Sequence, residues 1–464
     1  MKRGRGDRET WGERQMLKAK ANINALILTL TAIMLFITPL PAQADGPLGK
    51  RIVLENGMVL LLSEKHELPV VTVSMAIKAG SVVEPADKPG LAAITASLLT
   101  QGTKSRTANQ ISREIDFIGG SLSVSGGEDF TSANLRVLKK DIGTGFDLLV
   151  DVLMNPVFDQ KEIDRKVKET LAAIQRQKEE PEVIAGEAFT KMVFGAHPYG
   201  RTSDDVAAYL PRITQRDIQD FHSRRYGPND CIVAIVGDVT EKETVALLRQ
   251  RFAGWKPAEK GDPPHAAPAA ITSLTVKKMD KNITQANIAM GQVGISRENP
   301  DFYAVVVMNY ILGGGGFSSR LMDNIRDNRG LAYDVRSSFA AQKEPGAFRV
   351  WTQTKSESAN EAIAEIFKEL KRIRTEPVSD KELADAKAYL TGSFPLRMDT
   401  SAKIASILTS IEIFKLGLDY PQRYASLING VTKEDIFRVA KKYLDPDRMV
   451  VVVLGNQEKI QLRY

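Results

Sequence analysis

The chain has 464 residues, 43% hydrophobic and 26% charged, a balance that fits a folded globular protein and excludes large-scale disorder. That length exceeds what one ordinary core serves, so two domains or more are expected. The formal net charge of +6 is concentrated at the start: residues 1–44 hold seven basic and three acidic side chains, which leaves about +2 for the remainder and removes the basic footprint that nucleic-acid binding requires.

In chain order, the first segment reads as a secretory signal. Residues 25–40 are an apolar run preceded by Lys18 and Lys20, and Ala42-Gln43-Ala44 supplies a small-residue cleavage pattern. Met16 is an alternative start that would give the signal an ordinary length. An uncleaved membrane anchor is the rival reading, although the run is short for a full span. No later segment has the length and apolarity of a transmembrane helix.

A hairpin is expected at 51–54 and 59–62 around the Asn56-Gly57 turn. Residues 90–99 form a helix of small and apolar residues that opens at Gly90 and includes Ala93, Ala96 and Ser97. A longer helix over 161–178 carries Ala172 and Ala173. His197 sits in the loop Ala196-His-Pro-Tyr-Gly-Arg201. Then comes a capped helix at Thr214, the turn Pro228-Asn-Asp230, and the apolar strand 231–236 ending at Gly237. Its Cys231 is the lone cysteine. It cannot form an intrachain disulfide and reads as a small buried hydrophobe rather than a catalytic thiol. The Pro- and Ala-rich stretch 255–270 reads as a linker.

The second half repeats the first. Thr432 caps a helix, Pro446-Asp-Arg448 makes the turn, and the strand 449–454 ends at Gly455, in the order seen at Thr214 to Gly237. Each half is expected to open with a hairpin-like stretch and then to alternate helices with pairs of strands. Helices over 357–375 and 380–390 are predicted in the second half. The glycine run 313–316 lacks the Lys-Ser/Thr ending of a phosphate loop and reads as a flexible helix–helix connection, with room for a gating role. The division predicted is a signal peptide 1–44, a first domain 45–255, a linker 256–270 and a second domain 271–464. The fold class is α+β: two homologous repeats, each an antiparallel-rich sheet with helices packed on it.

Several of these motifs resemble the pitrilysin (insulinase-like) zinc peptidases, over roughly residues 50–456. In that family the helix after Gly90 carries an inverted motif, His-x-x-Glu-His. Histidines four apart share a helix face and can grip one zinc ion, while the glutamate between them activates water. Here those positions read Ala93, Ala96 and Ser97. The third ligand, a glutamate on a later helix, falls where this chain has Ala172 and Ala173. The resemblance therefore implies a half-clamshell fold with a degenerate zinc site and no metal bound by this chain. The other histidines, His66, His197, His222 and His265, have no partner at i+3 or i+4, so no second zinc site is expected.

The segment from Gly313 through Ser318-Ser-Arg320 to Ile325-Arg326 and Tyr333 is similar to the family's C-terminal signature, in which an arginine and a tyrosine seven residues apart face the zinc. That resemblance implies catalytic roles for Arg326 and Tyr333, acting in trans as donors to a substrate oxygen. Read without it, Arg326 is a surface helix residue and Tyr333 a strand core residue; Arg320 and Arg329 read as ion-pair partners. The expected function is thus a non-catalytic subunit of a periplasmic zinc metallopeptidase, inactive alone, paired as a heterodimer with a homologous zinc-bearing subunit and acting on peptides. The alternative is a structural or peptide-binding scaffold without catalytic contribution.

Overall fold

The computed structural model describes residues 46–464 apart from 260 and 262–264. The expected signal segment lies outside the described residues. Residues 47–464 make one body built on two sheets.

The expected hairpin forms: β1 (Lys50–Val53) pairs antiparallel with β2 (Val59–Glu64). Gly57 turns it at φ +89°, a region open to glycine at no steric cost, and Asn56 Oδ1 accepts the Met58 N–H at 3.2 Å. Then follow β3 (Val70–Ile77), α1 (Leu91–Leu98), α2 (Ala108–Phe117), β4 (Ser121–Gly126) and β5 (Thr131–Leu138). Helices α3 (Ile142–Met154), α4 (Gln160–Gln177), α5 (Pro181–Phe194), α6 (Ser203–Tyr209) and α7 (Gln215–Arg225) lead to β6 (Cys231–Gly237) and α8 (Glu241–Arg251). The second half runs β7 (Thr275–Asp280), β8 (Gln285–Val293), α9 (Phe302–Asn309), β9 (Ala332–Phe339), β10 (Ala347–Lys355), α10 (Ala359–Thr375), α11 (Asp380–Ser393), α12 (Ser401–Ile413), α13 (Tyr420–Asn429), α14 (Lys433–Tyr443), β11 (Val450–Gly455) and α15 (Gln457–Ile460).

The strand orders are β1-β2-β6-β3-β5-β4 and β7-β11-β8-β10-β9. Without β1 the first order maps onto the second strand for strand, including the single parallel pair in each, β2 with β6 and β7 with β11. The repeat is therefore real in three dimensions. The second half does not open with a hairpin as expected, because β11 inserts between β7 and β8. The caps that marked the repeat are present: Thr214 and Thr432 each close a capping box with an aspartate three residues on.

Burial of β6 and β11 on both faces has a specific cause. On one face of the first sheet, Val233 and Ile235 pack with helices of their own half, among them Phe146 and Leu149 of α3 and Ile218 of α7. On the other face, Leu61, Ala234 and Val236 meet Ile404, Ala405 and Leu408 of α12, which belongs to the second half. The exchange is reciprocal. The second sheet puts Val451 and Val453 against its own α10 and α14, and Ala289, Val450, Val452 and Leu454 against Ala185, Ala188 and Phe189 of α5 from the first half. Each half supplies a helix that closes the other's sheet.

The start of the expected linker is tied to the first half. Trp255 is buried in the first core, and Asn229 of the preceding turn pins Ala258 through both its main-chain N–H and C=O, at 2.6 and 3.1 Å.

Candidate functional site

Helix α1 starts at Gly90, whose φ of +90° and closeness to Val206 leave no room for a side chain. Its first N–H groups point at Glu84, which is almost wholly buried. The Glu84 carboxylate accepts from Gly90 N at 2.9 Å and Ala92 N at 2.8 Å, and pairs with Arg201 at 2.9 Å. A carboxylate suits the positive end of a helix dipole. Burial nevertheless pushes the Glu84 carboxyl up to about 7, against the pull of the Ala92 N–H and Arg201. The sequence reading missed this anchor: Arg201 was visible in its loop, but nothing marked Glu84 as its partner.

Along α1, Ala93 is exposed, Ala96 is fully buried, and Ser97 is half-buried with its hydroxyl donated to Ile94 O at 2.8 Å. Helix α4 packs against α1 and brings Ala172, exposed, and Ala173, half-buried. These five residues offer four methyl groups and one hydroxyl already engaged with the backbone. Zinc requires imidazole, thiolate or carboxylate donors, so these residues do not fit the metal.

The second group lies on the other sheet. Two segments before β9 are π-helical, Tyr310–Gly314 and Met322–Asn328. Such turns are rare and often occur at functional sites. Arg326 sits in the second of them and Tyr333 at the start of β9. Tyr333 is 84% exposed, so it is not the strand core residue that pattern alone suggests. Arg326 Cζ lies 5.5 Å from the Tyr333 ring centroid and 4.7 Å from that of Phe317, and Arg326 Nη1 donates to Asp327 at 2.8 Å. Arg326, Tyr333, Gln353 and Lys355 line an open cleft of about 470 Å³. Two donors facing open space can serve an oxygen carrying negative charge. Arg320, by contrast, is buried and holds Glu382 through two hydrogen bonds at 2.6 and 3.1 Å, while Arg329 pairs with Glu361 and Glu365. These two are structural ion-pair residues.

The histidines divide in the same way. Exposed His66 pairs with Asp238 at 2.7 Å, and His222, stacked on Tyr226, donates to Leu153 O at 2.8 Å. The structure does join two of them that lie far apart in the chain. His197, His265 and Glu344 bring their ligand-type atoms within 4.8 Å of one another, the sole such group among the described residues. The chemistry argues against a metal there. The Tyr199 N–H donates to His197 Nδ1 at 3.1 Å, which leaves the ring proton on Nε2, and that proton is given to Glu344 at 3.0 Å. A nitrogen that donates a proton has no lone pair for a cation. The group is a clasp between the first half, the linker and the β9–β10 turn. Cys231 is buried and its thiol is pushed up by that burial, so it is unreactive.

Residues 59–203 match the family model described as insulinase (peptidase family M16), and residues 212–390 match that of the peptidase M16 inactive domain. The chain belongs to peptidase family M16. An uncharacterized zinc protease of Mycobacterium leprae is 29% identical over 411 residues, covering 87% of this chain and 91% of that protein. A probable mitochondrial-processing peptidase subunit beta of Arabidopsis thaliana is 25% identical over 426 residues, covering 89% and 79%. A crystal structure described as a peptidase M16 inactive domain, from Pseudomonas fluorescens, superposes with a TM-score of 0.81 at 28% identity and covers 88% of this chain and 98% of its own. A protease from Helicobacter pylori shares the fold, with a TM-score of 0.79 at 20% identity over 88% of this chain and all of its own. The M16 fold is thus kept across the described body, while the positions that the resemblance assigns to zinc hold no ligand side chain.

Proposed function

We propose that this chain is the non-catalytic subunit of a periplasmic zinc metallopeptidase, paired with a homologous subunit that carries the intact zinc motif. Its own part in peptide hydrolysis is to present Arg326 and Tyr333 to a substrate carbonyl. As charge builds on that oxygen, a guanidinium and a phenol held nearby lower the barrier, and loss of one such donor typically costs about 10²–10³ in rate. The observation that carries the reading is a contrast. All five positions that the resemblance assigns to the zinc site are alanine or serine, yet Arg326 and Tyr333 stand side by side on an open cleft. A similar protein is named as a subunit of a processing peptidase, which supports an assembly of unlike chains.

The test uses the homologue with His-x-x-Glu-His that a neighbouring reading frame is expected to encode. Turnover of a short peptide is measured with that partner alone, with this chain added, and with Arg326→Ala or Tyr333→Phe. The pair should be active and both variants should slow it strongly while association persists. A partner fully active alone, or two variants that match the unmodified chain, would replace the donor role by that of a scaffold. The Arg326–Asp327 ion pair already occupies one edge of the guanidinium and is the feature that favours that second reading.

A further inference from the structure

The glycine run 313–316 is not slack. A Cβ at Gly313 would stand 2.6 Å from Ser337 Oγ on β9, one at Gly314 2.6 Å from Asn309 Nδ2, and one at Gly315 2.7 Å from Tyr310 O and 2.9 Å from the Tyr310 ring. Three successive glycines are needed because the backbone lies directly on its neighbours. Gly316 then reverses the chain at φ +56° with open space around it. The turn is closed by Ser318 N to Gly315 O at 3.3 Å, Ser319 N to Gly316 O at 3.0 Å, and the Ser319 hydroxyl to the same oxygen at 2.7 Å. This firmly seated turn ends by holding out one large side chain, Phe317, 69% exposed.

A single exposed phenylalanine is ordinary on a surface. This one is placed on something: its ring is the closer of the two that contact the Arg326 guanidinium. We propose that Phe317 is a positioning residue, whose ring holds the Arg326 guanidinium in place at the cleft by a cation–π contact. The inference rests on the donor reading of Arg326. An arginine side chain has many rotamers, and a donor serves an oxygen only if it waits where that oxygen will be. Asp327 fixes Nη1 from one side, and the rings fix the plane of the group. A cation–π contact is worth about 2- to 5-fold in an equilibrium when exposed and about 30-fold when dry. It depends on a π face, and apolar bulk does not replace it.

The experiment is a set of Phe317 variants in the reconstituted pair, with kcat and KM measured for Phe317→Ala, Phe317→Leu, Phe317→Tyr, Arg326→Ala and the double Phe317→Ala/Arg326→Ala. Phe317→Ala and Phe317→Leu should each lower kcat about 3- to 10-fold with KM nearly unchanged. Phe317→Tyr should restore it, and the double variant should be no slower than Arg326→Ala. A leucine as good as phenylalanine, or an alanine effect that persists undiminished without Arg326, would overturn the proposal. Should Arg326→Ala slow the pair while every Phe317 variant matches the unmodified chain, the positioning role alone fails. An Arg326→Ala pair at full speed sinks the donor reading, and the positioning role of Phe317 with it. A further readout needs no partner: in the whole chain labelled with ¹⁵N-arginine, the Arg326 Nε–H resonance should be ring-shifted, keep that shift in Phe317→Tyr and lose it in Phe317→Leu. An unshifted resonance counts against the contact itself.

Discussion

Arg320 and Arg326 stand close together in the chain, yet one is walled in and the other faces the cleft. Burial works against ionisation at Glu382, but the Arg320 guanidinium and the Ser379 donors outweigh it and hold that carboxyl at about 2. A folded value below the ordinary 4.5 means stabilisation that is present above about pH 4.5 and lost as pH falls towards 2. Burial opposes ionisation at Asp301 too, yet Lys442, Tyr443 and Arg438 hold it at about 2, so its contribution is lost as pH falls from about 3.8 towards 2. Glu382→Gln should therefore destabilise by roughly 2–4 kcal/mol at pH 7, since it leaves a buried guanidinium without its counter-charge, and by much less at pH 2.5. Urea unfolding at the two pH values decides it. The zinc positions carry a second expectation at this scale. Purified protein should hold no stoichiometric zinc by metal analysis. Ala93→His and Ser97→His should fold, because both sites reach solvent, yet bind zinc weakly for want of a carboxylate. Ala96→Glu places a carboxylate at a fully buried site and should cost roughly 2–5 kcal/mol, read as a lowered thermal midpoint. The alanines were legible in the sequence only through the family resemblance, which sets the helix after Gly90 against the zinc motif. The histidine clasp was not, since His197 and His265 meet only through the fold.

At the scale of elements, helices α5 and α12 are the exchange on which both sheets depend. Leu408 on α12 is fully buried against the first sheet although it belongs to the second half. Leu408→Ala should cost about 2–5 kcal/mol and Phe189→Ala on α5 about 3–5 kcal/mol. Each should lower a single unfolding transition seen alike by fluorescence and circular dichroism, rather than loosening one half alone. The repeat itself was legible, because caps at Thr214 and Thr432 and the strands after them are local signals. Which sheet each helix covers was not legible: an apolar stripe says that a face is buried, never by what. The π-helical turn bearing Arg326 was equally hidden, since its residues read as an ordinary helix. The glycine run was misread as flexible because close packing around a glycine is a tertiary fact.

For the whole molecule, the division at the linker does not mark two units that stand alone. Residues 46–259 and 265–464 expressed separately should each leave a sheet face bare and aggregate, whereas co-expression should recover a folded complex by size-exclusion chromatography. Among the described residues no helix is long and apolar enough to cross a membrane. If the leader is cleaved as expected, N-terminal sequencing of protein from the envelope fraction should begin at Asp45; a start at Met1 or Met16 would favour an anchor.

The parallel pairs also set the order in which this chain can be made. Val59 waits for Ile232, Thr275 waits for Val450, and the outer face of the first sheet waits for Leu408. These are contacts of long sequence separation, which fold slowly. A nascent chain that has emerged only to its midpoint therefore exposes Leu61, Ala234 and Val236 with nothing yet synthesised to cover them. Such a chain would need holding by chaperones until its last third arrives. The reciprocal helices that make the finished protein indivisible also delay its completion.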